Sequence, residues 1–396
     1  MLRPNQPSHR WNTGWRQTQT RVREVAFGAA PAKRALQRVF ANGTGRGAAA
    51  NADGAGRNRL IPKAGLASLA AVAAVALAAC GSASNTDAGA ANGSGGPSQE
   101  PTAQATIEIE DNHGLVTVPV RPSRVVALDN RAFEALAQWD VELVAAPKSL
   151  MGDGVFPKYS EDQDLPDVGT HREPNLEVIV AAEPDLIIGG MRFASHYDAI
   201  TQQNPGVPVI ELSPRDGEDL NQEIKREMAA LGQIFDREAE AQQAIDALDR
   251  SVGTAKDAYN GSDTVVGLLT SGGKISYAAP TTGRSVGVVF PALGLKPGID
   301  KEASDQSHGD DISVEAIAAA APDWLIVLDR DGAVGESGAI AAKELIGQSE
   351  ALAGVPAVAQ DQVIYLDPSF YLTEDIFAYT ALYDQIAKAF KAADAV

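Results

Sequence analysis

Apolar residues in this chain fall in short uninterrupted runs, most of them bounded by Pro, Gly or Asp. Arg124-Val-Val-Ala-Leu128, Leu143-Val-Ala-Ala146, Leu186-Ile-Ile188, Val207-Pro-Val-Ile210, Val265-Val-Gly-Leu-Leu269 and Val363-Ile-Tyr-Leu366 have the length of buried strands. Thr106-Ile-Glu-Ile-Glu110 alternates instead, like a half-buried strand, and Asn112-His113-Gly114 reads as a turn into a returning strand, Leu115-Val-Thr-Val118. A helix through Phe133 to Trp139 follows the Arg124 run. Ile245, Leu248, Val252, Ala255 and Tyr259 recur at helical spacing, which predicts a long helix between two halves with Asp236 as its cap.

One of these units occurs twice. Asn175-Leu-Glu-Val-Ile-Val-Ala-Ala-Glu-Pro-Asp-Leu-Ile-Ile-Gly189 returns 138 residues later as Ser313-Val-Glu-Ala-Ile-Ala-Ala-Ala-Ala-Pro-Asp-Trp-Leu-Ile-Val327. Each copy reads as a short helix, a proline stop and a strand covered on both faces. Asn175 or Ser313 is expected to cap its helix by accepting an orphan backbone N–H. Two such units predict two lobes built alike, with a ligand cleft between them.

The first residues give an address. Residues 1–56 form a basic extension of open status: either the true start lies downstream, or the extension is unusual. Residues 57–79 resemble a lipoprotein signal peptide, with Arg57, Arg59 and Lys63 ahead of an apolar run from Ala64 to Ala79. That run is shorter than the about 20 residues a spanning helix needs. It ends in Leu77-Ala78-Ala79-Cys80-Gly81, which matches the bacterial lipoprotein box. Cys80 is the only cysteine, so no disulfide forms within one molecule, and lipidation accounts for it. Residues 80–105 are rich in Gly, Ser, Ala and Asn and read as a flexible tether. The folded part divides into an N-terminal lobe at 106–235, a connecting helix at 236–259 and a C-terminal lobe at 260–396.

Charge changes at the cysteine. Of 33 basic and 52 acidic residues, twelve and two precede Cys80, leaving 21 against 50. A chain this acidic is not a nucleic-acid binder, and any anion site in it must be built from a few local cations.

Thr106-Ile-Glu-Ile-Glu-Asp-Asn-His-Gly114 and Pro119-Val-Arg-Pro-Ser-Arg-Val-Val-Ala-Leu-Asp129 resemble the opening of periplasmic iron–siderophore-binding proteins of ABC importers. The resemblance, closest to the catecholate type, continues through Val168-Gly-Thr-His-Arg-Glu-Pro-Asn-Leu-Glu177, Ser307-His-Gly309, Leu328-Asp-Arg330 and Tyr365-Leu-Asp-Pro368, covering roughly 106–396. It implies an α/β fold of two Rossmann-like lobes joined by a single long helix, with the ligand cleft between them.

The same resemblance implies site residues. Arg192 and Arg330 follow equivalent strands of the repeat and would hold an anionic ferric siderophore, since guanidinium groups stay protonated and stack on catechol rings. Arg284 would assist, although Gly283-Arg-Ser-Val-Gly287 is one position out of phase with the family's run. His308 and Tyr371 would complete the iron shell or contact the ligand rim, an imidazole and a hard phenolate both being acceptable to Fe(III). Glu374-Asp375 replaces the Gly-Gly that the family carries after the tyrosine. Glu177 and Glu315, one on each repeated helix, would dock onto arginines of the two permease subunits.

Catalysis has little support in the sequence. There is no P-loop, and Gly272-Gly273-Lys274 reads as a turn between strands. The expectation is therefore a monomeric binding protein, not an enzyme, with no intrinsic cofactor. It would be exported and lipid-anchored to the outer face of the cytoplasmic membrane, delivering ferric siderophore, catecholate or mixed catecholate, to an ABC permease and its ATPase. The alternatives are a haem or cobalamin binder of the same fold, or a chelatase-like α/β enzyme.

Overall fold

The computed structural model describes residues 104–302, 304, 309–335 and 340–393. The extension 1–56, the signal peptide 57–79, Cys80 and the tether up to residue 103 lie outside the described residues, and so does His308.

Two sheets carry the fold. In the first, parallel strands run in the order Leu143–Ala145, Val125–Ala127, Leu186–Gly189, Val209–Glu211. The second orders Asp310–Asp311, Lys274–Ala278, Thr264–Ser271, Trp324–Asp329 and Val363–Tyr365, with Lys296–Pro297 pairing to Thr264–Ser271 off that path. Its last three strands are mutually parallel, while Lys274–Ala278 folds back antiparallel. Gly272 and Gly273 make that reversal at φ 59° and 70°, a left-handed pair that side chains resist. The N-terminal hairpin, Thr106–Asp111 on Gly114–Pro119, also forms as its alternation predicts.

The repeated segment occupies the same station in each sheet. Leu186–Gly189 lies between Val125–Ala127 and Val209–Glu211, and Trp324–Asp329 between Thr264–Ser271 and Val363–Tyr365. Every residue of both strands is buried, because side chains leave alternately by two covered faces. Leu186, Ile188, Ile326 and Leu328 enter a core shared by both lobes, whereas Ile187, Leu325 and Val327 enter each lobe's own outer cluster.

The helices ahead of these strands, Leu176–Ala181 and Val314–Ala320, stop by one device. Glu183 at φ 44° and Ala321 at φ 45° turn left-handed directly before the proline. The aspartate that follows holds the neighbouring strand. Asp185 accepts from the Ser123 and Arg124 N–H groups and the Ser123 hydroxyl, at 2.8–2.9 Å. Asp323 accepts from the Thr264 N–H and hydroxyl at 2.8 and 2.9 Å. Ser313 caps its helix through the Ala316 N–H at 3.1 Å. Asn175 stands at the equivalent place but makes no side-chain cap bond, contrary to the sequence expectation.

A helix from Glu238 to Ala258, roughly 32 Å long, connects the lobes. Leu248 and Ala255 are buried along it, with Ile245 and Val252 partly so, as the stripe predicts. Asp236 does not cap this helix. It closes the preceding one, Leu220–Phe235, in a left-handed conformation at φ 58°, and pairs with Arg121. A short polar side chain tolerates that C-terminal position, which a reading from composition assigns to the next helix's start. The C-terminal helix Ile376–Ala393 packs along the connecting helix, and the shared core runs through both.

Candidate ligand-binding cleft

Three arginines from three separate turns converge on one tyrosine. The first turn follows Leu186–Gly189. Gly190 sits at φ 122°, and a Cβ there would lie 2.3 Å from Ser213 Oγ and 2.8 Å from Asp129 Oδ2. Ser213 accepts from the Met191 N–H at 2.5 Å and donates to Asp129 at 2.9 Å, fixing the turn that presents Arg192. The second turn follows the equivalent strand of the other lobe. Asp329 there caps the short helix Arg330–Val334 through the Gly332 N–H at 2.9 Å, and Arg330 is its first residue.

The third turn is a compact coil from Ala279 to Gly287. Gly283 and Gly287 donate to the Ala279 and Gly283 carbonyls at 2.8 Å, and a Cβ on Gly287 would meet two carbonyl oxygens at 2.4 Å. This coiling takes up the sequence's phase shift and brings Arg284 into the cleft.

Tyr371, on the short helix Phe370–Thr373, is the common target. Arg284, Arg192 and Arg330 place their guanidinium carbons 4.1, 5.4 and 5.5 Å from its ring centroid. Arg192 and Arg284 also donate to the Tyr371 carbonyl, each at 3.3 Å, and Arg330 Nε donates to its hydroxyl at 3.3 Å. The ring's negative face offsets part of the repulsion among the three cations.

Beneath the cluster lies a carboxylate that the sequence flagged only as a departure. Glu374, 2% exposed, accepts from Arg284 Nε at 3.0 Å and Nη2 at 2.5 Å, and from the Ser285 hydroxyl at 2.5 Å. Burial alone would raise this carboxyl, but attraction and hydrogen bonding from Arg284, aided by Arg131 and Ser285, bring it down to about 2. Arg284 is correspondingly raised against the pull of burial. Arg192 is lowered, first by burial and then by repulsion from Arg284.

The first lobe grips the same segment from the other side. Asn130 Nδ2 donates to the Leu372 carbonyl at 2.9 Å and Arg131 Nε to the Glu374 carbonyl at 3.1 Å. Gly152 approaches so closely that a Cβ would lie 2.4 Å from Leu372. Beside the cluster opens a cleft of about 580 Å³, with Leu150, Val155 and Arg192 on one side and Ala333, Pro368 and Leu372 on the other.

The structure thus gathers Arg192, Arg284, Arg330 and Tyr371. Glu177 and Glu315 stand apart from them, exposed in the first turns of their repeated helices. Among the described residues, no group of three His, Cys, Asp or Glu side chains is arranged to hold a metal ion. Sequence reasoning did not find Arg131, Ser213 or Ser285, whose roles depend on partners up to 243 residues away.

Two α/β lobes on a helical spine, with cations from both gathered at the cleft, define a periplasmic solute-binding protein. The chain belongs to the periplasmic binding protein family, whose model matches residues 125–370. It is 28% identical over 279 residues to the petrobactin-binding protein YclQ of Bacillus subtilis, covering 68% of this chain and 83% of that one. Against the ferric-anguibactin-binding protein FatB of Vibrio anguillarum it is 29% identical over 293 residues, covering 73% and 88%. The crystal structure of the periplasmic catecholate-siderophore binding protein VctP from Vibrio cholerae shares the fold, with a TM-score of 0.62 at 23% identity over 73% of this chain and 100% of that one.

Proposed function

We propose that this chain captures an anionic ferric siderophore, catecholate or mixed catecholate, in the cleft between its lobes and delivers it to an ABC importer. The observation that carries this reading is the convergence of Arg192, Arg284 and Arg330 on Tyr371. Guanidinium planes beside an aromatic ring suit a ligand that is both anionic and aromatic. Names of relatives support it further, two of them being binders of petrobactin and ferric anguibactin. Haem and cobalamin match a cleft of three cations less well.

In this reading Arg192 and Arg330 hold the anion, Arg284 assists, and His308 and Tyr371 contact iron or the ligand rim. The protein is a monomeric carrier rather than an enzyme and has no resident cofactor. Lipid on Cys80 anchors it outside the cytoplasmic membrane, with residues 80–105 as tether, lobes at 106–235 and 260–396, and a connecting helix at 236–259. Glu177 and Glu315, exposed at the same place in each repeat, dock onto the permease.

Titration of the purified protein with ferric bis-catecholate, tris-catecholate, hydroxamate and haem, followed by tryptophan fluorescence, tests the reading. Quenching by anionic catecholates alone is expected. Preference for a neutral hydroxamate or for haem overturns the ligand class, and binding of none overturns the function.

A further inference from the structure

The cleft holds three arginines, but their charges are not equally available. Arg284 spends its fork on Glu374, which Ser285 also holds and which is almost wholly buried. A ligand drawing Arg284 away would leave that buried carboxylate unpaired, so the pair stays closed. Arg330 lies 3.6 Å from Asp331, a buried carboxylate fixed by the Gly272 and Gly273 N–H groups at 2.8 Å. Among the described residues, no carboxylate pairs with Arg192. Glu374 and Asp331 therefore offset part of the charge of the three cleft guanidinium groups, with the buried Arg131 beside Glu374 on the cationic side of the balance, and the cluster offers a ligand less charge than its arginines suggest.

We infer that Glu374 is a specificity-determining residue: by engaging Arg284 it lowers the charge of the cleft, so that the site takes a ferric complex of low net charge in preference to a trianion. The inference rests on the siderophore reading above and narrows it. A bis-catecholate, whose four phenolate oxygens leave Fe(III) with a single negative charge, fits this cluster. A tris-catecholate, with six, retains three negative charges, which the field of the buried Glu374 and Asp331 opposes. Like-charge juxtaposition of this kind excludes the wrong partner more than it strengthens the right one.

The test is the ratio of affinities for ferric complexes of a tetradentate bis-catecholate and a hexadentate tris-catecholate, measured by fluorescence quenching on the purified protein. Wild type is expected to prefer the bis-catecholate. Glu374→Gln, which keeps an acceptor for Ser285, releases one positive charge and is expected to shift the ratio toward the trianion by on the order of tenfold. Arg284→Met removes one positive charge and leaves Glu374 with only Arg131 and Ser285, and is expected to move the ratio the opposite way. Wild-type preference for the trianion, no shift in either folded variant, or shifts of the same sign overturn the inference. Binding of neither complex by wild type overturns the siderophore reading itself, which separates the two failures.

Discussion

Asp185 and Asp323 hold the same post in the two lobes, each carboxylate clamping backbone N–H groups at the entry to the strand beside its own, Ser123 and Arg124 just ahead of Val125–Ala127 in one lobe and Thr264 in the other. The repeated Pro-Asp is thus a fastening as well as a helix stop. It ties the repeat's strand to its neighbour before the ladder between them begins. Replacing Asp323 by alanine strands a partly buried N–H and a hydroxyl, at a cost of about 1–3 kcal/mol, whereas the groups Asp185 holds are exposed and its loss should cost about 1 kcal/mol or less. The two clamps share no partner, so the costs should add in the double variant. Urea unfolding midpoints at constant m-value check both expectations.

Gly190 makes the sharpest prediction about site assembly. Alanine there meets Ser213 and Asp129 inside van der Waals distance, at a positive φ that disfavours any side chain. Gly190→Ala should cost roughly 2 kcal/mol or more and move Arg192 off Tyr371. The expected outcome is a lower melting temperature together with loss of ligand quenching, while Gly154→Ala, left-handed but with open space around its Cβ, should lower stability alone.

Acidity at the lobe junction gives a pH signature. Burial, with a smaller contribution from Glu134, pushes the Asp375 carboxyl up to about 7, against the opposing pull of Arg131 and of its hydrogen bond from the Ala378 N–H. Its folded value therefore lies above its unfolded one. The proton it retains favours the folded state at low pH, and that contribution fades as pH rises from about 4 to 7. Glu374 acts in the reverse sense, losing its contribution only as pH falls toward about 2. Asp375→Asn should gain on the order of 2–4 kcal/mol over wild type near neutral pH and little at pH 4 or below. Thermal unfolding across that range decides it; an unchanged gap between the two proteins would sink the assignment.

Arg330 contacts Tyr371 from the second lobe and Ser271 at 3.2 Å. Arg330→Ala should weaken an anionic ferric complex about tenfold, equivalent to about 1.4 kcal/mol, and a neutral complex of similar size much less. Equal losses for both would assign the arginine to packing rather than to charge.

Much of this architecture was legible in residue order. Leu186–Gly189 and Trp324–Asp329 are apolar runs after Pro-Asp, of a length that suits a doubly covered strand. Arg192 and Arg330 were legible for the same reason, since the end of such a strand is where a sheet presents its loops. Asp236 was misread because an aspartate suits a helix's start and a left-handed close alike, and the choice depends on Arg121 more than a hundred residues earlier. Arg284 looked out of phase because a linear count does not register the coil between Ala279 and Gly287. Glu374 was visible as an oddity, yet its meaning depends on a partner 90 residues before it. Local chemistry survives in a sequence, whereas pairings across the cleft need the chain to close.

The core that continues from one lobe into the other along the Glu238–Ala258 helix turns the molecule into a caliper with a stiff back. Parting its jaws widely would open apolar surface to water, so the gap is set by the spine rather than by the cargo. The spacing of Glu177 and Glu315, the exposed carboxylates proposed to dock onto the permease, then becomes a nearly fixed gauge.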